Sequence, residues 1–186
     1  MPPRIPPLDP PYEPEVEALL SKMMAGASTE PLKLFRALAH NRDLAGRVRA
    51  LGAGFLGRSS SLHPRDREIV IHRVCARCGC EYEWGVHAAF FAAQQGIEEQ
   101  TLNATVLASS AHPVWSSRER LLVRLVDELH DTSHVSEDLW SGVSAQWNTV
   151  QILEILMMAG FYHAISFVAN AARVPLETWA ARFPQA

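Results

Sequence analysis

The 186-residue sequence has no stretch in which apolar and polar residues alternate with period two, and no Asn-Gly or Asp-Gly pair. The ordinary signals for strands and hairpins are therefore missing. An excess of charge of one sign is missing too. The balance of 17 Lys+Arg against 20 Asp+Glu leaves a net charge of -3 with no basic stripe, which argues against a nucleic-acid partner. Cysteine is scarce: Cys75, Cys78 and Cys80 are the whole complement, crowded into one short stretch. An odd set that close together is not a disulfide framework and points to a reducing compartment. The N-terminus lacks the apolar core of a secretory signal, so the expected location is the cytoplasm. There is no internal repeat of fixed period. What is present is apolar content. At 48% hydrophobic residues the bulk of the chain is not disordered, and its length suits one domain with a real core.

Seven of the 12 prolines fall in residues 1–14. Proline cannot donate a backbone hydrogen bond, so this segment reads as an extended arm. It is either a loose tail or a strap laid on a neighbouring subunit, with Ile5, Leu8 and Tyr12 available to bury. Residues 15–186 then read as one helical domain. Apolar spacing predicts helices over 15–24, 31–40, 43–57, 65–78, 80–95, 98–109, 117–130, 136–146 and 149–172. Ser116 with Glu119 and Asn148 with Gln151 supply helix-start signals, and Ser136 is a third N-cap candidate. The last helix is apolar nearly all round. Gln151, Glu154, His163 and Asn170 interrupt it, which favours a bundle core or subunit interface over a membrane span. The fold class is all-α.

Two neighbouring helices carry the candidate chemistry. On 65–78, Glu68 and His72 share the apolar side with Ile71, Cys75 and Cys78, while Asp66, Arg73 and Arg77 lie opposite. A carboxylate on an apolar face must find a partner or keep its proton. On 80–95, Cys80, Glu83, Trp84, His87 and Phe91 form one stripe, and Gly85, Ala89 and Ala92 leave the other side small enough for close contact with another helix. Cys80 sits at the helix start, where the macrodipole favours a thiolate. If the helices are antiparallel, Glu68 approaches His87 and orients its ring, with Cys80 and Glu83 alongside. Spacing alone does not separate such a relay from a structural Glu–His pair. Cys75-Ala-Arg-Cys78 lies late in its helix and reads as inert core thiols. A zinc site from Cys75, Cys78, Cys80 and His87 lacks a completing motif. His63, His112, His130 and His134 read as turn and cap residues, His163 as a satisfied core or interface group, and Trp115, Trp140 and Trp147 as packing anchors.

At these residues the sequence resembles the carboxymuconolactone decarboxylase family and its alkylhydroperoxidase D-like relatives. The run Arg67-Glu68-Ile69-Val70-Ile71 followed by Cys80-Glu81-Tyr82-Glu83-Trp84-Gly85-Val86-His87 carries the likeness. Leu34–His40, Asp127–His130 and Gly160–His163 extend it over most of residues 10–180. The resemblance implies an alkylhydroperoxidase D-like orthogonal helical bundle and a homo-oligomer (dimer, trimer or hexamer) acting on a small molecule, with no cofactor or metal, nucleic acid or membrane. In the peroxidase branch a Cys-x-x-Cys opens the helix. The first Cys matches Cys80, but the second, the peroxide-attacking one, falls on Glu83, which cannot form a sulfenic acid. The decarboxylase branch works by acid/base chemistry on a small lactone acid, and Glu68, Glu83 and His87 match it. The catalytic set is therefore Glu68, Cys80, Glu83 and His87, with a cofactor-free lyase or isomerase expected first. A peroxiredoxin-like hydroperoxide reductase using Cys80, or a non-catalytic oligomeric binding protein, are the alternatives.

Overall fold

A computed structural model describes residues 2–25 and 29–185. Among the described residues the regular structure is helical throughout: α1 (Pro14–Met23), α2 (Lys33–Leu38), α3 (Arg42–Leu56), α4 (Pro64–Arg77), α5 (Glu81–His87), α6 (Glu99–Leu107), α7 (Ser117–Thr132), α8 (Glu137–Gln146) and α9 (Thr149–Ala172). The periodic apolar spacing explains the number and order of these helices. Both predicted capping boxes are formed, Ser116 with Glu119 at α7 and Asn148 with Gln151 at α9. Ser136 precedes α8 but does not cap it. Its backbone N–H and hydroxyl donate to Glu128 instead, at 2.7 and 3.0 Å.

Helix α4 is the hub, with α5, α6, α7 and α9 packed on it. Asp66 and the unbroken run Glu68–Cys75 are buried, so the side expected to be solvated is core as well. Its charges survive there because each has a matched partner. Asp66 accepts from Arg118 Nη2 at 2.7 Å and from Trp147 Nε1 at 3.1 Å. Arg73 makes a two-pronged pair with Asp127 at 2.7 and 2.8 Å and donates to the Thr105 and Ala108 carbonyls. Trp115 and Trp147 are buried anchors, but Trp140 is 41% exposed: it follows the buried Leu139 on the outer side of α8.

Helix α9 has the length and composition of a bilayer-crossing segment. Here Ile152, Ile155, Met158, Tyr162 and Ile165 are buried inside the protein, and the helix packs along α4 and α5. The N-terminal arm lies on its own chain. Arg4 and Ile5 backbone N–H groups donate to the Ala172 carbonyl, and Leu8 exchanges hydrogen bonds with Arg36. Leu8 and Tyr12 cover a small cluster of Val16, Leu20 and Ala39.

Candidate active site

A tight turn brings the two chemistry-bearing helices together. After α4, Gly79 takes a left-handed φ of 60°, a conformation that costs a residue without Cβ little. The Cys80 N–H donates back to the Cys75 carbonyl at 2.8 Å, and α5 folds back along α4. This places His87 Nδ1 2.9 Å from Glu68 Oε2. The regular helix ends at His87. Where one helix over 80–95 was expected, the backbone opens into a π-helical segment, Ala88–Ala92, and a 3-10 turn, Ala93–Gln95. Such widened turns recur at functional sites, and this one sets the Phe91 ring 5.0 Å from the imidazole of His87.

His87 is almost fully enclosed and both its nitrogens are engaged. Nε2 lies 3.2 Å from the Tyr162 hydroxyl and 3.6 Å from Glu83 Oε1. Burial alone would discharge the ring. The Glu68 carboxylate overcomes that penalty, Glu83 adds to it, and the pKa of His87 is pushed up to about 10. Burial works in the opposite direction on Glu68, but the charge and hydrogen bond of His87, with help from His72 and Arg67, hold it below the usual carboxylate range. The two form an ion pair. His72, on the same side of α4, donates from Nδ1 to the Glu68 carbonyl at 2.7 Å and is pushed down to about 4, chiefly by burial. It is a neutral, structural histidine. Burial, reinforced by the carboxylates of Glu83 and Glu68, pushes the Tyr162 phenol well above its ordinary value, so it stays protonated. With His87 charged, Nε2–H donates to the phenol oxygen and the phenol proton is left free for another acceptor.

Glu83, His87 and Tyr162 form part of the wall of a cleft of about 650 Å³. The rest of its lining is mainly apolar, with Leu34, Phe35, Phe91, Phe161 and Ile165 among it, and Lys22 and Arg49 also border it. Glu83 Oε2 is buried without a hydrogen-bond partner among the described residues. Glu68 stands behind His87 and does not line the cleft. Neither does Cys80, whose side chain is enclosed at 0% exposure. Burial pushes its thiol up to about 11, the helix-start N–H of Glu83 offsets only part of this, and the Glu83 charge adds to it. The expected thiolate is thus corrected: desolvation outweighs the pull of a seven-residue helix. Cys75 is likewise buried, with its thiol raised well above the ordinary value. The Cys75, Cys78, Cys80 and His87 combination does not assemble as a metal cluster among the described residues.

Gly85 does accept a close contact, though not from a helix. The C-terminal segment crosses it, with Ala181 N–H donating to the Gly85 carbonyl at 3.2 Å. Two residues escaped the sequence reasoning. Tyr162 is the one phenol on the buried, mainly apolar face of α9, a pattern that could have marked it. Glu177, buried, accepts from the Tyr82 hydroxyl at 2.6 Å and from the Lys33 N–H at 2.7 Å, and ties the C-terminal segment to the site helices.

The fold is thus an all-α bundle in which α5 presents Glu83 and a charged His87 to a mainly apolar cleft. Residues 42–128, the central part of the chain, match the model of the Carboxymuconolactone decarboxylase family. Among solved structures, the fold is similar to that of an uncharacterized peroxidase-related protein from Silicibacter sp. TM1040 (TM-score 0.79, 19% identity, 98% of each chain covered). It is also similar to a protein of unknown function from Agrobacterium tumefaciens, provisionally described as an antioxidant defence protein AhpD (TM-score 0.66, 22% identity, 76% of this chain and 95% of that one). A third is a cysteine-to-alanine variant of the debrominase Bmp8 in complex with 2,3,4-tribromopyrrole (TM-score 0.74, 12% identity, 96% and 94% covered). No curated protein matches the sequence.

Proposed function

We propose that the protein is a cofactor-free acid/base enzyme that decarboxylates or isomerises a small carboxylated lactone-type compound. One observation carries this reading: α5 and α9 bring Glu83, His87 and Tyr162 to the cleft, while the thiols of Cys75 and Cys80 are enclosed and hard to ionise. Lys22 and Arg49 beside the cleft suit a substrate carboxylate. The apolar lining suits a compact ring, and the tribromopyrrole held by the debrominase supports a small cyclic ligand for this fold.

In the decarboxylation the bond from carbon to the departing carboxylate breaks, and its electron pair moves into the conjugated lactone carbonyl. Tyr162 donates its phenol proton in a hydrogen bond to the developing oxyanion. The charged His87 delivers the Nε2 proton to the carbon, and solvent then restores it. Glu68 keeps His87 charged and oriented between turnovers. Glu83, with an unpartnered oxygen, holds or removes a proton on the substrate, which is the step an isomerisation needs. An apolar cleft favours loss of charge as CO2 leaves. Release of CO2 from a panel of small carboxylated lactones, with solvent deuterium entering one carbon, is the supporting result. Peroxide-dependent sulfenic acid on Cys80, with no CO2 from any lactone, would favour the hydroperoxide reductase instead.

Self-association is part of the proposal. The outer face of α9 exposes Val150, Leu153, Met157 and Phe167 at 57–65%, a continuous apolar stripe that supports burial against a second copy of the same face.

A further inference from the structure

On the opposite side of α9 from the acid/base cleft, three metal-ligating side chains converge from three helices. Cys78 follows the end of α4, His130 lies in the last turn of α7, and His163 lies midway along α9. His130 does not cap its helix and His163 is not an isolated interface group: their rings stack with centroids 5.2 Å apart and planes 15° from parallel. Cys78 Sγ is 3.9 Å from His130 Nδ1, and the three ligand atoms lie within 4.8 Å of one another. We propose that Cys78, His130 and His163 bind a zinc ion, a site separate from the acid/base centre and independent of its function.

The geometry is close to what the ion requires. With Zn–S near 2.3 Å and Zn–N near 2.0–2.1 Å, tetrahedral ligand atoms sit roughly 3.4–3.6 Å apart. The Cys78–His130 separation is already near that value, and closing the triangle needs only small side-chain rotations. The scaffold under the ligands is fixed. Asn170 Nδ2 donates to the Cys78 carbonyl at 2.9 Å, and Arg77 ties the end of α4 to Asp127 and Asp131 on α7. One thiol and two imidazoles make a soft-to-borderline donor set, which selects zinc over magnesium or calcium. As the ion binds, Cys78 exchanges its S–H bond for an S–Zn bond and the proton leaves to solvent. Three protein ligands leave a fourth position. His130 and His163 also line, with Ser133, a cavity of about 220 Å³ that has room for a water or a small anion as fourth ligand. This is the open arrangement of reactive zinc sites, not the closed four-ligand arrangement of structural ones.

The test uses the full chain, stripped with a chelator and titrated with Zn2+ against a chromophoric competitor, then with Co2+ as a spectroscopic stand-in. The expected result is one ion per chain, a sulfur-to-cobalt charge-transfer band, and tetrahedral d–d absorption. Cys78→Ser should abolish the charge-transfer band, and His130→Asn and His163→Asn should each weaken zinc binding by an order of magnitude or more. Metal-free circular dichroism confirms that each variant folds. A readout needing no variant is the imidazole NMR spectrum of the wild type, in which His130 and His163 should shift on zinc addition while His87 does not. Zinc bound equally by wild type and by a variant combining Cys78→Ser, His130→Asn and His163→Asn, cobalt spectra without a sulfur band, or unmoved His130 and His163 resonances would each overturn the assignment.

Discussion

His72 and His87 are one experiment that the protein has already set up. Their rings are 0% and 3% exposed, yet His72 is pushed down to about 4 and His87 up to about 10. The difference lies in the carboxylates. Glu68 Oε2 is 2.9 Å from His87 Nδ1 but 3.7 Å from His72 Nδ1, and only His87 has Glu83 as well. Glu68→Gln removes the charge while keeping the volume. In that variant His87 should give up its proton several pH values earlier, with Glu83 alone supporting the charge. Raising His87 from 6.5 to about 10 corresponds to roughly 5 kcal/mol of preference for the charged ring. Breaking a buried ion pair from one side costs about 3–5 kcal/mol, and the variant should lose about that much stability at pH 7. The pH dependence follows from the directions. The contribution of His87, whose pKa is raised, is complete below 6.5 and fades as pH climbs towards 10. The contribution of Glu68, whose pKa is lowered, is complete above 4.5 and fades in stronger acid. The stability gap between wild type and variant is therefore widest between pH 4.5 and 6.5 and narrows on both sides. Urea unfolding over a pH series, with an NMR titration of the imidazole protons, reads both quantities. A gap that stays flat from pH 5 to 10, or a His87 that still titrates near 10 in Glu68→Gln, would refute the reasoning.

Three further outcomes are expected. Gly85→Ala would put a Cβ 2.2 Å from the Ala181 carbonyl oxygen, so the C-terminal segment must lift; a loss of about 1–3 kcal/mol in thermal unfolding is expected, and an unchanged melting temperature would show that the segment does not pack there. Thiol labelling of the metal-free folded protein with an aromatic disulfide should modify half-buried Cys78 well before Cys75 and Cys80, both 0% exposed; mass mapping that finds Cys80 labelled first would contradict its enclosure. Introducing Leu153→Glu together with Phe167→Glu on the outer face of α9 should bring the sedimenting species down to one chain without loss of helicity, whereas a wild type that already sediments as a monomer removes the case for self-association.

Much of the fold was legible because helix periodicity and caps are local. Ser116 with Glu119 and Asn148 with Gln151 announce their helices within four residues of sequence. The Glu68–His87 contact was legible for a related reason. Both residues lie on the apolar stripes of adjacent helices, and a one-glycine turn leaves those stripes few ways to meet. What escaped depends on the third dimension. The state of Cys80 is set by how deeply other elements cover it, which the helix-start position does not report. The π-helical turn after His87 leaves no sign in Ala88–Ala92, whose residues suit a regular helix equally well. Tyr162 meets His87 from 75 residues away, and His130 meets His163 across two helices; no spacing rule links them.

The central claim is that the cleft works through proton transfer by His87 and Glu83 and not through a thiol. Turnover of a carboxylated lactone by wild type, Cys80→Ser and His87→Asn, compared side by side, tests it most directly. The account predicts that Cys80→Ser keeps nearly all of the wild-type rate and that His87→Asn loses it by about 100-fold or more, as expected for a removed general acid. Full activity in His87→Asn with none in Cys80→Ser would contradict it.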